Sequence, residues 1–218
     1  MGEIKISPSL LSVNIGNMER DVKALESCVE LLHVDVMDGH FVPNLSYGPH
    51  IVSGLKKFTD IPLDVHLMIE KPSKFIEPFI KAGSDIITIH VEVDDDILGC
   101  LKMIKAAGLK SGLALNPDTD PQKLMPYLDY TDMVLQMTVF PGFGGQSMVE
   151  SAIKNISVIR KMIGDKDLEV DGGIVAENVA TLVKEGANVI VSGSGIFKYD
   201  DIAKAAINLK TAANGGIK

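Results

Sequence analysis

Two short apolar segments carry histidine and aspartate at alternate positions, a spacing that can build a metal site. In LLHVDVMDG, His33 and Asp35 fall on one face because alternate residues of a strand point to the same side. In LDVHLMI, His66 shares a face with Asp64, and LEVDGGI places Asp171 at the end of a third segment. A carboxylate buried unpaired in a valine-rich strand is costly, so a bound cation explains these residues better than chance.

The four side chains differ from ordinary core residues only when they are taken together. Alone, each histidine fits a hydrogen-bonded core role and each aspartate fits a helix cap. Together, His33, Asp35, His66 and Asp171 form a nitrogen and oxygen ligand set for one divalent ion, with zinc the first candidate and Fe(II), Mn or Co the others. His90, on a further strand, is expected to be a hydrogen-bonded core histidine rather than a substrate contact.

Glycine-rich turns follow three successive strand segments, in PGFGGQ, DGGI and SGSGIF. Glycines let the backbone approach an anion closely, and barrels often bind phosphate with the loops after their last two strands. These turns contain no lysine or arginine, so we expect backbone N–H groups and Ser194 to bind a phosphate. Met37, Met68 and Met137 lie near strand ends and predict an apolar layer around the reacting atoms, although each alone fits simple core filling.

The segments that must position these residues alternate between strand-like and helix-like patterns. Apolar runs predict strands at residues 4–10, 31–37, 63–69, 85–91, 110–116, 132–139, 167–174 and 188–197. Amphipathic spacing predicts helices in segments such as residues 17–30, 73–82, 95–107, 149–163, 177–185 and 200–213. The first turn, SPSLLSVN, lacks the glycines typical of an open doubly wound sheet. The pattern therefore predicts an α/β fold, a single (β/α)8 TIM barrel over residues 1–218 with a frayed tail at 214–218.

Composition argues against several classes of partner. The formal net charge is -8 at pH 7, a field that would repel nucleic acids and anionic membranes. Cys28 and Cys100 lack CxxC spacing, which argues against a disulfide framework or zinc ribbon and fits a reducing compartment. The N-terminus has no signal-peptide pattern, and no apolar run approaches the length of a membrane span. We expect a soluble, cytoplasmic protein.

Seven motifs run in order across nearly the whole chain: ISPSLLS, HVDVMDGHFVPN, DVHLM, NP at Asn116 and Pro117, MTVFPGFGGQ, EVDGGI and SGSGIF. In these motifs the chain resembles the ribulose-phosphate 3-epimerase family. The resemblance implies a (β/α)8 barrel and homo-oligomers, with metal ligands at His33, Asp35, His66 and Asp171. It makes Asp35 and Asp171 the catalytic acid and base. It also implies substrate contacts at Ser9, His66, Gly142, Phe143, Gly144, Gly145, Gly172, Gly173, Gly193 and Ser194.

The activity that the resemblance implies is metal-dependent epimerisation at C3 of a sugar phosphate, converting D-ribulose 5-phosphate to D-xylulose 5-phosphate. One carboxylate would remove the C3 proton and the other carboxyl group would return a proton to the opposite face of a cis-enediolate. No organic cofactor is required. Two alternatives stay open: a 3-epimerase of a six-carbon ketose phosphate such as D-allulose 6-phosphate, and a catalytically silent sugar-phosphate-binding protein.

Two positions depart from the family pattern. Phe140 stands where an acidic residue usually precedes PGF, and Gln136 stands where an aliphatic residue is usual. We expect these changes to affect the choice of substrate more than the chemistry.

A decarboxylase or aldolase on a related phosphate-binding barrel is a further alternative, and it would need an Asp-x-Lys-x-x-Asp array. The nearest approach is Asp21, Lys23 and Glu26 on the first predicted helix, where charges at this spacing usually face solvent. The sequence therefore disfavours this alternative.

Overall fold

The computed structural model describes residues 2–143 and 146–216. Within these residues, parallel strands form one eight-stranded sheet in the order β1-β8-β7-β6-β5-β4-β3-β2. The strands are β1 Lys5–Pro8, β2 Leu32–Met37, β3 Leu63–Met68, β4 Ile86–His90, β5 Lys110–Leu115, β6 Met133–Met137, β7 Asp167–Asp171 and β8 Val189–Ser192.

The sheet closes into a barrel between β1 and β2 with fewer contacts than the other seams. A parallel bridge joins Ser9 to His33, and the N–H groups of Glu30 and Leu31 donate to the Ile6 carbonyl at 3.2 and 3.3 Å. This closure confirms the predicted TIM barrel, since every neighbouring pair in the ring is parallel.

Helices follow the strands and cover the outer wall. They are α1 Met18–Leu25, α2 Pro49–Leu55, α3 Ile76–Ala82, α4 Ile97–Ala106, α5 Glu150–Ile163, α6 Val179–Glu185, α7 Ser194–Phe197 and α8 Ile202–Gly215. After β5 the chain forms a 3₁₀ helix, Pro121–Tyr130, instead of an α-helix. Pro126 lies inside this segment and has no N–H for an α-helical hydrogen bond, which explains the tighter helix.

The main hydrophobic core lies between the strands and the helices. Val34 and Val36 of β2 point outward into it, together with Val65 and Leu67 of β3. The alternate residues of these strands therefore point into the barrel, as the period of two predicts. This division puts the polar residues of β2 and β3 inside the barrel and their aliphatic residues under the helices.

One predicted boundary near the end of the chain was wrong. The last strand was expected to reach Phe197, but β8 ends at Ser192 because the Gly193 carbonyl accepts hydrogen bonds from Ile196 and Phe197 and starts α7. A frayed tail was predicted for residues 214–218; α8 extends through Gly215 next to the fully buried Ala213, and residues 217–218 lie outside the described residues. The error at β8 arises where packing, rather than local pattern, decides where an element ends.

Among the described residues, no helix combines the length and apolar character that crossing a membrane requires.

Candidate metal and acid/base site

The register of β2 and β3 brings the predicted ligands together inside the barrel. His33 pairs with Asp64, and Asp35 pairs with His66. Both histidines are fully buried and Asp35 is 3% exposed. Asp171 reaches the same place from the end of β7, so that one ligand atom from each of His33, Asp35, His66 and Asp171 lies within 4.8 Å of the others.

Three of these ligand atoms form a nearly equilateral triangle. His33 Nε2 lies 3.3 Å from His66 Nδ1 and 3.4 Å from Asp35 Oδ1, and His66 Nδ1 lies 3.3 Å from Asp35 Oδ1. A tetrahedral ion with ligand bonds of about 2.0–2.1 Å has ligand atoms about 3.3–3.4 Å apart. The triangle therefore has the dimensions of one face of a tetrahedral metal site, and its donors suit zinc and the neighbouring divalent metals.

Hydrogen bonds orient the ligand atoms of His33 and Asp35. His33 Nδ1 lies 2.7 Å from Asp64 Oδ2, so a neutral His33 that donates from Nδ1 keeps its Nε2 lone pair free. Ser9 Oγ donates to Asp35 Oδ2 at 2.6 Å, while Asp35 Oδ1 faces the two histidines. Each oxygen of Asp35 therefore has a separate environment.

Burial and neighbouring charges shift the pKa values of the groups in the site in different directions. Burial opposes a charge on His33, but Asp35, Asp64 and Glu169 outweigh it and raise the pKa of His33 well above its ordinary value. Burial also opposes the Asp35 carboxylate, yet His33 and His66 hold the pKa of Asp35 below its usual range. Burial lowers the pKa of His66 to about 4, which leaves this imidazole neutral.

Asp171 behaves in the opposite way to Asp35. Burial, reinforced by the negative charge of Asp35, raises the pKa of Asp171 to about 7. The two carboxyl groups therefore differ in the metal-free protein: Asp35 is ionised at neutral pH, and Asp171 binds a proton much more readily than an ordinary aspartate.

A further buried carboxyl group, Glu169, was missed by the sequence analysis. It precedes Asp171 by two residues and so shares its face of β7, and its Oε1 lies 3.5 Å from His33 Nδ1. Neither oxygen has a hydrogen-bond partner among the described residues, and burial followed by the charge of Asp64 raises its pKa well above the ordinary value. The alternation that located Asp171 was the signal that could have found Glu169.

A pocket of about 550 Å³, counted to its open mouth, lies directly above the ligand cluster. His33 and His66 are buried beneath its floor. Gly144 and Gly145, also predicted to contact substrate, lie outside the described residues. The other predicted residues line the pocket: Ser9, Asp35, Met37, Met68, Met137, Gly142, Phe143, Asp171, Gly172, Gly173, Gly193 and Ser194.

Phe140 and Gln136, which depart from the family pattern, do not line this pocket. Phe140 has a half-exposed side chain, and its carbonyl accepts a hydrogen bond from Gln146 Nε2 at 2.7 Å. Gln136 is fully buried and donates from Nε2 to the Met137 carbonyl at 2.8 Å. Phe140 is therefore linked to the pocket through the side chain of Gln146, which lines it, and Gln136 through the backbone of Met137.

The decarboxylase or aldolase alternative lacks its residues in the pocket. Asp21 and Lys23 lie on α1, and Glu26 caps its C-terminal end. Lys23 forms an exposed ion pair with Glu19 at 2.6 Å. The described pocket lining contains no lysine.

Sequence comparison places the chain in a family. The model of the ribulose-phosphate 3 epimerase family matches residues 5–197. The chloroplastic ribulose-5-phosphate-3-epimerase of Arabidopsis thaliana is 44% identical over 217 residues, covering 96% of this chain and 77% of the relative. The ribulose-phosphate 3-epimerase of Bacillus subtilis (strain 168) is 42% identical over 213 residues, covering 95% of this chain and 98% of the relative.

Structural comparison gives the same fold. The crystal structure of 3-hexulose-6-phosphate synthase from Salmonella typhimurium has a TM-score of 0.74 at 18% sequence identity, covering 98% of this chain and 100% of that one. At this identity the likeness bears on the barrel alone. The family match over most of the chain and the full-length similarity to the two epimerases carry the conclusion: the chain belongs to the ribulose-phosphate 3-epimerase family and is an isomerase.

Proposed function

We propose that the protein converts D-ribulose 5-phosphate to D-xylulose 5-phosphate by metal-dependent inversion at C3. The observation that carries this proposal is the pair of carboxyl groups, Asp35 and Asp171, beside two buried histidines at the floor of one pocket. Inversion needs a group that removes a proton on one face of the substrate and another that returns a proton on the opposite face.

One divalent ion fits the ligand triangle, with His33, Asp35, His66 and Asp171 as its protein ligands. Zinc is our first candidate because of the tetrahedral spacing and the nitrogen and oxygen donors, and Fe(II), Mn and Co are the alternatives. Such an ion supplies Lewis-acid stabilisation of negative charge that develops on the substrate oxygens.

Asp35 and Asp171 enter the pocket from β2 and β7, which are three strands apart around the ring of eight. This placement lets the two carboxyl groups approach a bound sugar from different sides. The low pKa of Asp35 keeps it ionised and able to accept a proton, and the pKa of about 7 at Asp171 lets it donate or accept near neutral pH. Before a cation binds, the pKa values of the two carboxyl groups are therefore shifted in opposite directions, which suits one to act as base and the other as acid.

The three methionines that line the pocket are almost fully buried. Met37, Met68 and Met137 are 5%, 1% and 2% exposed. We assign them the role of an apolar layer that excludes water from the reacting carbon, which strengthens the electrostatic interactions there.

We assign the phosphate group to the glycine-rich side of the pocket, next to Gly172, Gly173, Gly193 and Ser194. The described pocket lining contains no lysine or arginine, so backbone N–H groups and hydroxyls must provide the donors. The chain packs tightly here, because a Cβ at Gly172 would lie 2.4 Å from Val139 Cγ2. Glycine therefore allows backbone atoms to form the wall.

Gly193→Ala should weaken substrate binding with little loss of stability. Its φ is -92°, so alanine meets no left-handed strain, but the new methyl group would lie 2.4 Å from Ser12 Oγ and 3.6 Å from Ser9 Cβ. Displacing Ser12, which lines the pocket, should raise KM and lower kcat/KM by roughly 10- to 100-fold. Steady-state kinetics with the phosphorylated sugar measures this effect.

Gly54→Ala is the matched control, because a Cβ at this position of α2 meets nothing within 4 Å. Its kinetics should be unchanged, and it should gain about 0.5–1 kcal/mol in stability from the helix propensity of alanine. An unchanged KM in Gly193→Ala would rule out our placement of the phosphate.

A panel of three sugars tests the proposed function directly. D-ribulose 5-phosphate should give the highest kcat/KM, D-allulose 6-phosphate a lower one, and unphosphorylated ribulose a value at least about 100-fold lower. Two charge-assisted hydrogen bonds to phosphate, at about 1.5–3 kcal/mol each, account for that factor. Isotope-free assays by NMR of the epimer ratio would measure all three.

Each other outcome of the panel has a definite meaning. A preference for D-allulose 6-phosphate would make the protein a six-carbon epimerase, and no turnover of any sugar despite phosphate-sugar binding would make it a silent binding protein. Equal kcat/KM for ribulose and its phosphate would contradict the phosphate assignment.

We further propose that the protein acts in the cytoplasm as a homo-oligomer whose one other partner is the small sugar phosphate. Light scattering of the purified protein tests the oligomer.

A further inference from the structure

The second histidine ligand, His66, has an unusual neighbour on its far side. His66 Nδ1 is the atom that faces His33 Nε2 and Asp35 Oδ1, each 3.3 Å away. His66 Nε2 points away from this triangle and lies 2.8 Å from Nε2 of His90. A neutral imidazole that uses Nδ1 as a ligand carries its proton on Nε2, so His66 must donate to His90.

This direction determines the tautomer of His90. Two ring nitrogens 2.8 Å apart share a single hydrogen, so His90 Nε2 must accept and the proton of His90 must reside on Nδ1. His90 Nδ1 lies 3.0 Å from Glu92 Oε2, which accepts it. The chain of hydrogen bonds therefore runs from His66 through His90 to a carboxylate.

Glu92 is held as an acceptor on both oxygens. Its Oε1 accepts the Asn116 N–H at 2.8 Å and the Thr119 hydroxyl at 2.5 Å, which leaves Oε2 for His90. Burial opposes its charge, but the hydrogen bonds from His90, Asn116 and Thr119 hold the pKa of Glu92 below its usual range. An ionised carboxylate with these partners cannot act as a donor, so the chain of bonds cannot reverse.

Packing keeps the rings in place. His66 and His90 are fully buried and meet edge to edge with ring centroids 5.0 Å apart, and the ring of Phe41 lies 4.7 Å from that of His90. The contact between the two rings is too close to admit a water molecule, so water cannot replace a lost hydrogen-bond partner there. The His66 tautomer thus depends on His90 and Glu92.

We propose that Glu92, acting through His90, is a positioning residue that fixes His66 in the Nδ1-ligating tautomer and strengthens it as a metal ligand. The proposal rests on the metal site of the proposed function. Asp64 fixes the tautomer of His33 without an intermediate residue, since Asp64 Oδ2 lies 2.7 Å from His33 Nδ1. Each imidazole ligand is therefore linked by hydrogen bonds to a carboxylate. Removing such an outer partner commonly weakens metal binding by about 10- to 100-fold.

Glu92→Gln breaks this relay without removing its bulk. An amide group has one oxygen and one NH2, so it cannot accept from His90, Asn116 and Thr119 together. If the NH2 group faces His90, it donates to His90 Nδ1 and the direction of the hydrogen bonds reverses. His90 Nε2 then carries the proton and donates to His66 Nε2, which must accept. We expect the dissociation constant for Zn or Co(II), measured by competition with a chelator, to rise about 10- to 100-fold.

Asp95→Asn is the matched control for a purely structural effect. Asp95 lies in the same loop and accepts a backbone N–H and a hydroxyl, both from Ser73, at 2.9 and 3.0 Å. It anchors a neighbouring loop as Glu92 does but contacts no histidine in the described chain. We expect its metal dissociation constant to match that of the unmodified protein.

A second variant, His90→Leu, interrupts the relay at another link and leaves Glu92 bound to Asn116 and Thr119. It should weaken metal binding by a similar factor, and adding Glu92→Gln should then have no further effect, because both changes remove one interaction. In the zinc-loaded protein, ¹⁵N NMR of the imidazoles should show His66 protonated at Nε2 and hydrogen-bonded, and this hydrogen bond should be weakened or lost in both variants.

Unchanged metal affinity in Glu92→Gln and His90→Leu, or an equal loss in Asp95→Asn, would overturn the relay. Absence of metal binding by the unmodified protein would instead contradict the metal site of the proposed function. The two failures are therefore distinguishable.

Discussion

Asp35→Asn and Asp171→Asn should each reduce kcat for epimerisation by roughly 10²- to 10⁴-fold, the contribution typical of one general acid or base. Asparagine keeps the shape of aspartate but cannot exchange a proton near neutral pH. Both residues line the pocket and both are proposed ligands, so the metal content of each variant must be measured beside its rate.

Isotope exchange separates the two halves of this reaction. In D2O the unmodified protein should place deuterium at C3 of its product, because the proton that one carboxylate removes is not the proton that the other supplies. In each variant the surviving carboxyl group should still exchange the C3 proton of one epimer, although no epimer is formed. NMR of the recovered substrate would detect this exchange.

The assignment would be wrong for any aspartate whose variant keeps its metal and still epimerises near the original rate. His90 does not line the pocket, and in the structure its two ring nitrogens are paired with His66 and Glu92. A group of the substrate itself or a water molecule would then have to carry the proton in place of that aspartate.

His33→Ala and His66→Ala should each weaken metal binding by more than about 100-fold, since losing a direct ligand costs more than the 10- to 100-fold of an outer partner. Each change removes one corner of the triangle of 3.3 to 3.4 Å separations and leaves the cation three of its four protein ligands. Activity should fall with metal content, as measured by elemental analysis and kinetics on the same samples.

His50→Ala is the control for this pair. His50 lies in α2 with an exposed side chain and has no part in the ligand cluster. Its metal content and activity should be unchanged. Full activity of the unmodified protein after metal removal would show that the cluster does not serve catalysis through a cation.

Metal binding should also release protons near neutral pH, because ligands must lose their protons to bind. In the metal-free protein the pKa of Asp171 is raised to about 7 and that of His33 lies well above its ordinary value. Protons therefore compete more strongly as the pH falls below about 7, and the apparent metal affinity should rise with pH through that range. Calorimetry in buffers of different ionisation enthalpy would count the protons.

Local sequence was sufficient to predict which side chains of β2 point into the barrel. In LLHVDVMDG the period of two alone places His33 and Asp35 on one face and Val34 and Val36 on the other, and the structure has this arrangement. The barrel followed from repeated strand and helix patterns in the same way. These features depend on spacing within one segment, which is why no knowledge of distant contacts was needed.

The end of β8 and the surroundings of the buried Glu169 depended on contacts between segments rather than on local sequence. The end of β8 was misplaced because the apolar Ile196 and Phe197 were counted with the strand, whereas the Gly193 carbonyl accepts the first bonds of α7. Glu169 was missed because its environment comes from Asp64 and His33 on other strands, although its own spacing from Asp171 was visible.

The sequence by itself therefore determined the barrel, the inward-facing cluster of histidine and aspartate side chains and the glycine-rich exits, because period-two alternation and turn composition are local properties of the chain. Only the tertiary structure decided the 3.3 to 3.4 Å spacing of the ligand atoms, the opposite pKa shifts of Asp35 and Asp171, and the link from His66 through His90 to Glu92. Each of these depends on the register between strands that are distant in sequence, and register is set by the packing of the whole barrel.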